Sequence, residues 1–144
     1  MPTGDRDDPL LSFNFIVNIQ GIEIGFSEIS GLTSESNVVE YRNGTETNTP
    51  RKLPGQVKYS SINFKRGMTP NGKDVWKWRK TVIDGKTERR SGTITLLDEA
   101  REAKLVWRFY EGWPSKLEGP GLNATDNKVA IESMEISHEK VEIE

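Results

Sequence analysis

Trp113-Pro114-Ser115-Lys116-Leu117-Glu118-Gly119-Pro120-Gly121-Leu122-Asn123-Ala124, followed by Val129-Ala130-Ile131-Glu132-Ser133-Met134-Glu135-Ile136, is the stretch on which the reading of the fold turns. Its first part is a Pro/Gly-rich connector without catalytic side chains, and its second is strand-like and ends in alternating acids. Such a segment is suited to pairing sheet edges, not to chemistry. In the second part Val129 and Ile131 share one parity while Met134 and Ile136 share the other, so a bulge near Glu132-Ser133 is expected to reconcile them.

Toward the N-terminus the same period of two recurs. Phe13, Phe15, Val17 and Ile19 alternate with Ser12, Asn14, Ile16 and Asn18, which marks a strand with one strongly apolar face. Gly21 turns the chain into a second run in which Ile22, Ile24 and Phe26 alternate with Glu23, Gly25 and Ser27. Val38 to Arg42 reads as a third strand that ends at Asn43-Gly44. Residues 43–55 are rich in Thr and Asn and carry Pro50 and Pro54, so they are expected to form a long loop that reaches a neighbour. Val57 to Lys65 resumes the strand pattern, with Ile62 and Phe64 on a buried face.

One segment has helical spacing. Asn71-Gly72-Lys73-Asp74 carries helix-start residues, after which Val75, Trp78 and Val82 share a face and Trp76, Arg79 and Ile83 lie beside it. A helix over 74–84 is predicted, stopped at Gly85, with Asp74 early and Arg79 and Lys80 late to suit its dipole. Gly92 to Asp98 and Ala103 to Phe109 then read as two strands joined through Asp98-Glu99-Ala100-Arg101-Glu102. The whole is a mainly β meander of about seven or eight strands and one helix, an antiparallel sandwich or barrel in a single domain spanning 1–144.

Composition narrows the function classes. A chain of 144 residues can bury roughly two thirds of its unfolded surface in one core. A hydrophobic content of 33% is lean, which suggests that some apolar surface is buried between subunits. The absence of cysteine excludes disulfides and thiolate metal sites. A formal charge of -2 gives no general attraction to nucleic acid or anionic lipid, even though Lys77, Arg79, Lys80, Lys86, Arg89 and Arg90 cluster and the C-terminal segment is acidic. The polar start, residues 1–9, reads as a flexible arm without a secretory signal, and no apolar run approaches the roughly 20 residues of a membrane-spanning helix. Asn43-Gly44-Thr45 and Asn123-Ala124-Thr125 match glycosylation acceptors but are read as turns.

Three constellations could carry chemistry. Gly67-Met68-Thr69-Pro70-Asn71-Gly72-Lys73 has the spacing of a phosphate-binding loop, yet Asp74 replaces the hydroxyl residue that serves magnesium, and Pro70 removes a backbone donor. His138 is the sole histidine and lies among acids and a lysine, read as an exposed strand residue. Trp76, Trp78, Trp107 and Trp113 beside the basic cluster could stack bases, but the phase of Trp78 and Trp107 favours core packing. Neither an enzymatic site nor a cofactor or metal site is expected.

Fragments spread along the chain carry a resemblance: Gly25 to Leu32, Glu40 to Gly44, Leu53-Pro54-Gly55, Lys65-Arg66-Gly67, Trp78, Leu96 to Glu99, and Pro114 to Lys116 through Ala130 to Glu132. In this order they resemble the tail-tube proteins of contractile phage tails and extracellular contractile injection systems. The resemblance implies a protomer that closes into hexameric rings, which stack into a hollow tube. A contracting sheath would drive that tube through a target envelope while it conducts protein or DNA cargo. It implies subunit and ring contacts at Tyr41, Arg42, Asn43, Gly44, Leu53, Pro54, Gly55, Val129, Ile131, Met134 and Ile136, and a sheath-facing helix surface at Lys77, Arg79 and Lys80. The implied partners are further copies of the chain, a sheath protein, baseplate, hub and terminator proteins, and luminal cargo, with cytoplasmic assembly before incorporation into a particle and no stable membrane association of the monomer. Asn14 and Asn18 are candidates for a wettable lumen. A ring protein of the type VI secretion kind is the alternative within the same fold, and a phosphate-loop nucleotide binder is the alternative outside it.

Overall fold

The computed structural model describes residues 9–20, 22, 25–42, 44, 49–70, 72–125 and 127–144. Residues 1–8 of the arm predicted over 1–9, Gly21, Glu23 and Ile24 of the second predicted run, residues 43 and 45–48 of the predicted loop, and Asn71 lie outside them. The described residues form β1 (Phe15–Ile19), β2 (Glu28–Ser30), β3 (Ser34–Tyr41), β4 (Arg51–Tyr59), β5 (Ile62–Gly67), α1 (Lys73–Ile83), β6 (Arg90–Leu97), β7 (Ala103–Glu118), β8 (Ile131–Ser137) and β9 (Lys140–Ile143). The fold is mainly β, antiparallel, with one helix among the described residues.

A seven-stranded sheet runs β1-β6-β7-β8-β5-β2, with β9 also paired to β7. Its organiser is the long β7. Residues up to Gly112 pair with β6 and β9, whereas Trp113 to Glu118 pair with β8, so one strand belongs to both layers. The chain turns between the halves at Glu111, whose φ of 56° is in the left-handed region, and at Gly112, where a Cβ would lie 2.6 Å from the Phe109 ring. The sheet thereby folds over a core of Ile19, Ile22, Ile62, Phe64, Ile94, Phe109, Met134 and Ile136. Helix α1 adds Val75 and Trp78 to that core, and the Trp78 Nε1 donates to the Glu88 carbonyl at 2.7 Å.

The ends of the sheet, β1 and β2, are not neighbours in it. A groove of about 520 Å³ lies between them, lined by Phe15, Ile94, Leu96 and Trp107 on one side and Ile29 and Leu32 on the other. The molecule is therefore an open barrel. Strands β3 and β4 form a separate two-stranded sheet.

Several expectations are corrected. The Trp113–Ala124 connector is strand through Glu118, because a register shift between Pro114 and Lys116 accommodates the proline's missing donor. The loop predicted over 43–55 gives way to strand at Arg51, and Pro54 sits in β4, on a ribbon where only one side of the strand is paired. Val57 to Lys65 is two strands, β4 and β5, separated at Ser60-Ser61. Of the predicted Ile22–Phe26 strand, Ile22 makes only an isolated bridge with Ile19, and the next strand is β2.

The predicted bulge at Glu132-Ser133 is absent, since β5 and β8 keep continuous register from Ile62↔Ile136 to Gly67↔Ile131. The inward phase of β8 is Glu132, Met134, Ile136, and Val129 and Ile131 point outward. A glutamate can hold an inward position because Arg66, opposite it on β5, neutralises it. Asn14 likewise is buried and not a lumen-facing residue: its amide donates to the Asp98 carbonyl at 2.6 Å and its oxygen accepts from Arg101 at 3.1 Å.

Candidate functional site

Sheet pairing explains where the predicted contact residues lie. Within the β3–β4 ribbon the register is Val38↔Pro54, Val39↔Leu53, Glu40↔Lys52 and Tyr41↔Arg51. Every residue of β3 is exposed, although it carries Val38, Val39 and Tyr41. Leu53 and Val57 on β4 are exposed as well. The ribbon thus gathers Tyr41, Leu53, Pro54 and Gly55 into one projection, with Arg42 and Gly44 just beyond it. Asn43 lies outside the described residues. Gly55 is required where it stands, because a Cβ there would come within 2.9 Å of the Asn37 carbonyl oxygen.

The base of the ribbon is pinned to the barrel. Gly31, with φ of 95°, packs where any Cβ would collide with the Ser61 carbonyl oxygen. The Ser60 hydroxyl donates to the Gly31 carbonyl at 3.2 Å, and His138 Nε2 donates to the Ser60 carbonyl at 2.9 Å. His138 is half-buried against Tyr59 and Phe109, so the sole histidine anchors a turn and is not the exposed strand residue expected.

The residues expected to make contacts near the C-terminus divide. Val129 and Ile131 are exposed, whereas Met134 and Ile136 are 2% and 0% exposed and belong to the protomer's core. Met134 and Ile136 are thereby corrected as contact residues, since the unbulged phase of β8 turns them inward.

Helix α1 presents Lys77 and Lys80 to solvent. Arg79 does not stand with them: its guanidinium donates to the Pro114 carbonyl at 3.1 Å and ties the helix to β7. Trp76 and Ile83, expected beside the buried face, are exposed on the helix instead, so the outer surface is apolar as well as basic.

The described residues of the turn from Gly67 to Lys73 are not arranged to cradle a phosphate. Such a loop aims backbone N–H groups at its ligand, but here Met68 N–H donates to Ala130 and Gly72 N–H to Thr69. The inward space is occupied by Arg66, which donates to the Gly72 carbonyl at 2.9 Å and to Glu132 at 2.8 Å, with Asp74 at 3.4 Å. Arg66 also lies over the Phe26 ring. This buried ion pair had no signal in composition or periodicity beyond the phase conflict of β8. Among the described residues, no group of three or more His, Asp or Glu is placed to hold a metal.

Strand β9 is fastened along β7 by side chains. The Tyr110 hydroxyl donates to Glu142 at 2.6 Å, and Arg108 pairs with Glu144 at 2.5 Å. The Tyr110–Glu142 bond holds the Glu142 carboxyl below its ordinary range and the Tyr110 hydroxyl above its own. Backbone donation from Glu102 similarly lowers Asp98.

The sequence profile of the family described as T4-like virus tail tube protein gp19 matches residues 11–142. Among solved structures, the chain is similar to one from the sheath-tube complex of an extracellular contractile injection system, PVC, in the extended state. Identity is 26%, coverage 96% of this chain and 93% of that one, and the TM-score 0.87. A chain from the tube-terminating cap of the anti-feeding prophage is 26% identical over 96% of this chain and 93% of that one, with a TM-score of 0.88. Hcp1 from Flavobacterium johnsoniae shares the fold, at 13% identity, 91% and 94% coverage and a TM-score of 0.56. No curated protein matches the chain.

Proposed function

From the premise that this chain belongs to the T4-like virus tail tube protein family, we propose that its copies close into six-membered rings that stack as a hollow tube. The chain is a structural tube subunit of a contractile injection machine and part of a phage tail-like particle. Its task in this reading is mechanical: it turns over no substrate, is assembled in the cytoplasm, conducts cargo, and is gripped by a sheath.

The observation that carries self-assembly is the β3–β4 ribbon, which leaves Val38, Val39, Tyr41, Leu53 and Val57 uncovered in the protomer. Exposed ribbon edges and apolar surface are a liability to a monomer and an asset to a ring. Ring-to-ring contacts are heterologous and never close, so their product is a filament. Lys77 and Lys80, with Trp76 and Ile83 beside them, are the helix surface offered to a sheath; Val129 and Ile131 are further contact residues. The end-capping and baseplate partners follow from the same reading.

Electron microscopy of negatively stained protein, with light scattering over a concentration series, tests it. Six-fold rings or hollow tubes are expected. A monomer that persists at high concentration, even after the neighbouring initiator proteins are added, would sink the proposal. An Hcp-type secreted ring is the weaker reading, because the likeness to Hcp1 extends to the fold alone; rings that never lengthen would favour it.

A further inference from the structure

Alternation along β5 and β8 settles which face of each strand is inward, but it does not settle their register. A slip of one residue turns every apolar side chain outward, whereas a slip of two keeps the inward residues inward. In the observed ladder Ile62 faces Ile136 and Phe64 faces Met134. Were β5 moved to the next inward position along β8, Phe64 would face Ile136, and that apolar pair is as good as the one it replaces. The exposed face even favours such a slip, since it exchanges Lys65 opposite Ser133 for Lys65 opposite Glu135. The buried charges oppose it. Arg66 would leave Glu132 and face Met134, and a slip the other way would set Arg66 against Ala130 and Glu132 against Phe64.

We infer that the buried Arg66–Glu132 pair is the register lock of this fold: it selects one alignment of β5 on β8 from those two residues away, and adds little net stability. The two side chains, each 2% exposed, meet at 2.8 Å. Arg66 Nη1 and Glu132 Oε1 are buried with no hydrogen-bond partner among the described residues. A buried ion pair offsets its desolvation only when its remaining donors and lone pairs are matched, and an apolar pair of similar volume is often no less stable. What the apolar pair lacks is selectivity. Any apolar residue tolerates another opposite it, whereas a buried arginine needs an acceptor, and of the inward positions of β8 only Glu132 supplies one.

The lock reaches beyond the two strands. Arg66 Nη2 donates to the Gly72 carbonyl at 2.9 Å and lies 3.4 Å from Asp74 Oδ1, and the guanidinium lies over the Phe26 ring. One side chain thus ties β8 to the turn before α1 and to the first turn of the helix. A slip of two residues is a displacement of about 7 Å. Losing the register would carry the start of α1, and with it the exposed Lys77 and Lys80, along β8 by that distance. A population with β5 in two registers would present two different outer surfaces. The inference stands independently of whether the chain builds tubes.

Because the chain has no cysteine, introduced thiols can report the register. The Ser27 N–H donates to the Lys65 carbonyl, so Lys65 turns its backbone groups to β2 and makes a non-hydrogen-bonded pair with Ser133, the kind in which side chains approach most closely. The full chain carrying K65C, S133C and E135C is refolded in a glutathione redox buffer. Fragmentation mass spectrometry then gives the ratio of the disulfide joining positions 65 and 133, the observed register, to that joining 65 and 135, the slipped one. With Arg66 and Glu132 in place the ratio should exceed about 100. Adding R66M/E132L should bring it below about 10 while the melting temperature stays within about 5 °C of the parent. R66K, which keeps the charge but not the fork, should melt lower and still keep the parent's ratio. If R66M/E132L keeps the parent's ratio, melts far below it or fails to fold, the pair is a stability element and the inference is overturned. A slipped ratio in R66K, or no folded protein, overturns it as well.

Discussion

Strands β5 and β3 differ in one respect that organises the molecule. Along β5, Ile62, Phe64 and Arg66 are buried while Asn63 and Lys65 are exposed; along β3 nothing is buried. Both contain β-branched or aromatic residues, but β5 places them two apart whereas β3 places Val38 and Val39 side by side. Alternation lets one layer cover one face. Adjacent apolar residues divide between both faces and cannot be satisfied by a single layer. Apolar phase, more than apolar content, separates the part of this chain that folds on itself from the part that stays exposed in the protomer.

The sharpest way to break the comparison is to disturb the inward series of β5. Glu132→Ala would remove the buried anion opposite Arg66 and leave the part-exposed Asp74, 3.4 Å away, as its remaining counter-charge, and the cost should be about 3 kcal/mol, read from chemical denaturation of dissociated protein. Ile136→Ala, opposite Ile62, should cost about 2–5 kcal/mol by the same measurement. Gly92→Ala should cost about 1–3 kcal/mol, because the new methyl would meet the Phe109 ring at 2.5 Å and Ile19 at 3.0 Å. By contrast Val38→Ser on the ribbon should change protomer stability by no more than about 0.5 kcal/mol while altering assembly. If Val38→Ser proved as destabilising as Ile136→Ala, the distinction between the two regions would fail.

A smaller effect concerns the clasp between β7 and β9. Glu142 has a folded pKa below its ordinary 4.5, so its contribution is present above that value and is lost as pH falls through the folded one. Tyr110 has a folded pKa above its ordinary 10, so its contribution is present below that value and is lost as pH rises through the folded one. Denaturation midpoints of wild type should therefore fall on acidification from about pH 6 to about pH 3 more than those of Glu142→Gln. Equal acid sensitivity would show that the clasp adds nothing to the edge.

The barrel was largely legible because its signals are local. Phe15, Val17 and Ile19 alternate, and the spacing of Val75 and Trp78 after Asp74 has the helical period, so β1 and α1 lie close to where periodicity placed them. Proline misled at two places. Pro54 and Pro114 both read as breaks, yet each stands in a strand beside a register irregularity. The phase conflict of β8 was visible, but its resolution was not: a bulge and a buried glutamate explain the same sequence, and only Arg66 across the ladder decides between them. For the same reason the exposed Val129 and Ile131 could not be told from the buried Met134 and Ile136.

Sequence by itself determined a cysteine-free, mainly β chain with one helix, a poor phosphate loop and the scattered fragments of a tube protein, since these depend on residue identity and short-range period. Tertiary structure decided which of two parities faces the core, that Arg79 is spent on β7, and that His138 anchors a turn. Each of these is a relation between residues far apart in the chain or across a ladder. A shift of one residue in register reverses which face a side chain occupies, and the energy that selects the register comes from partners that no local pattern names.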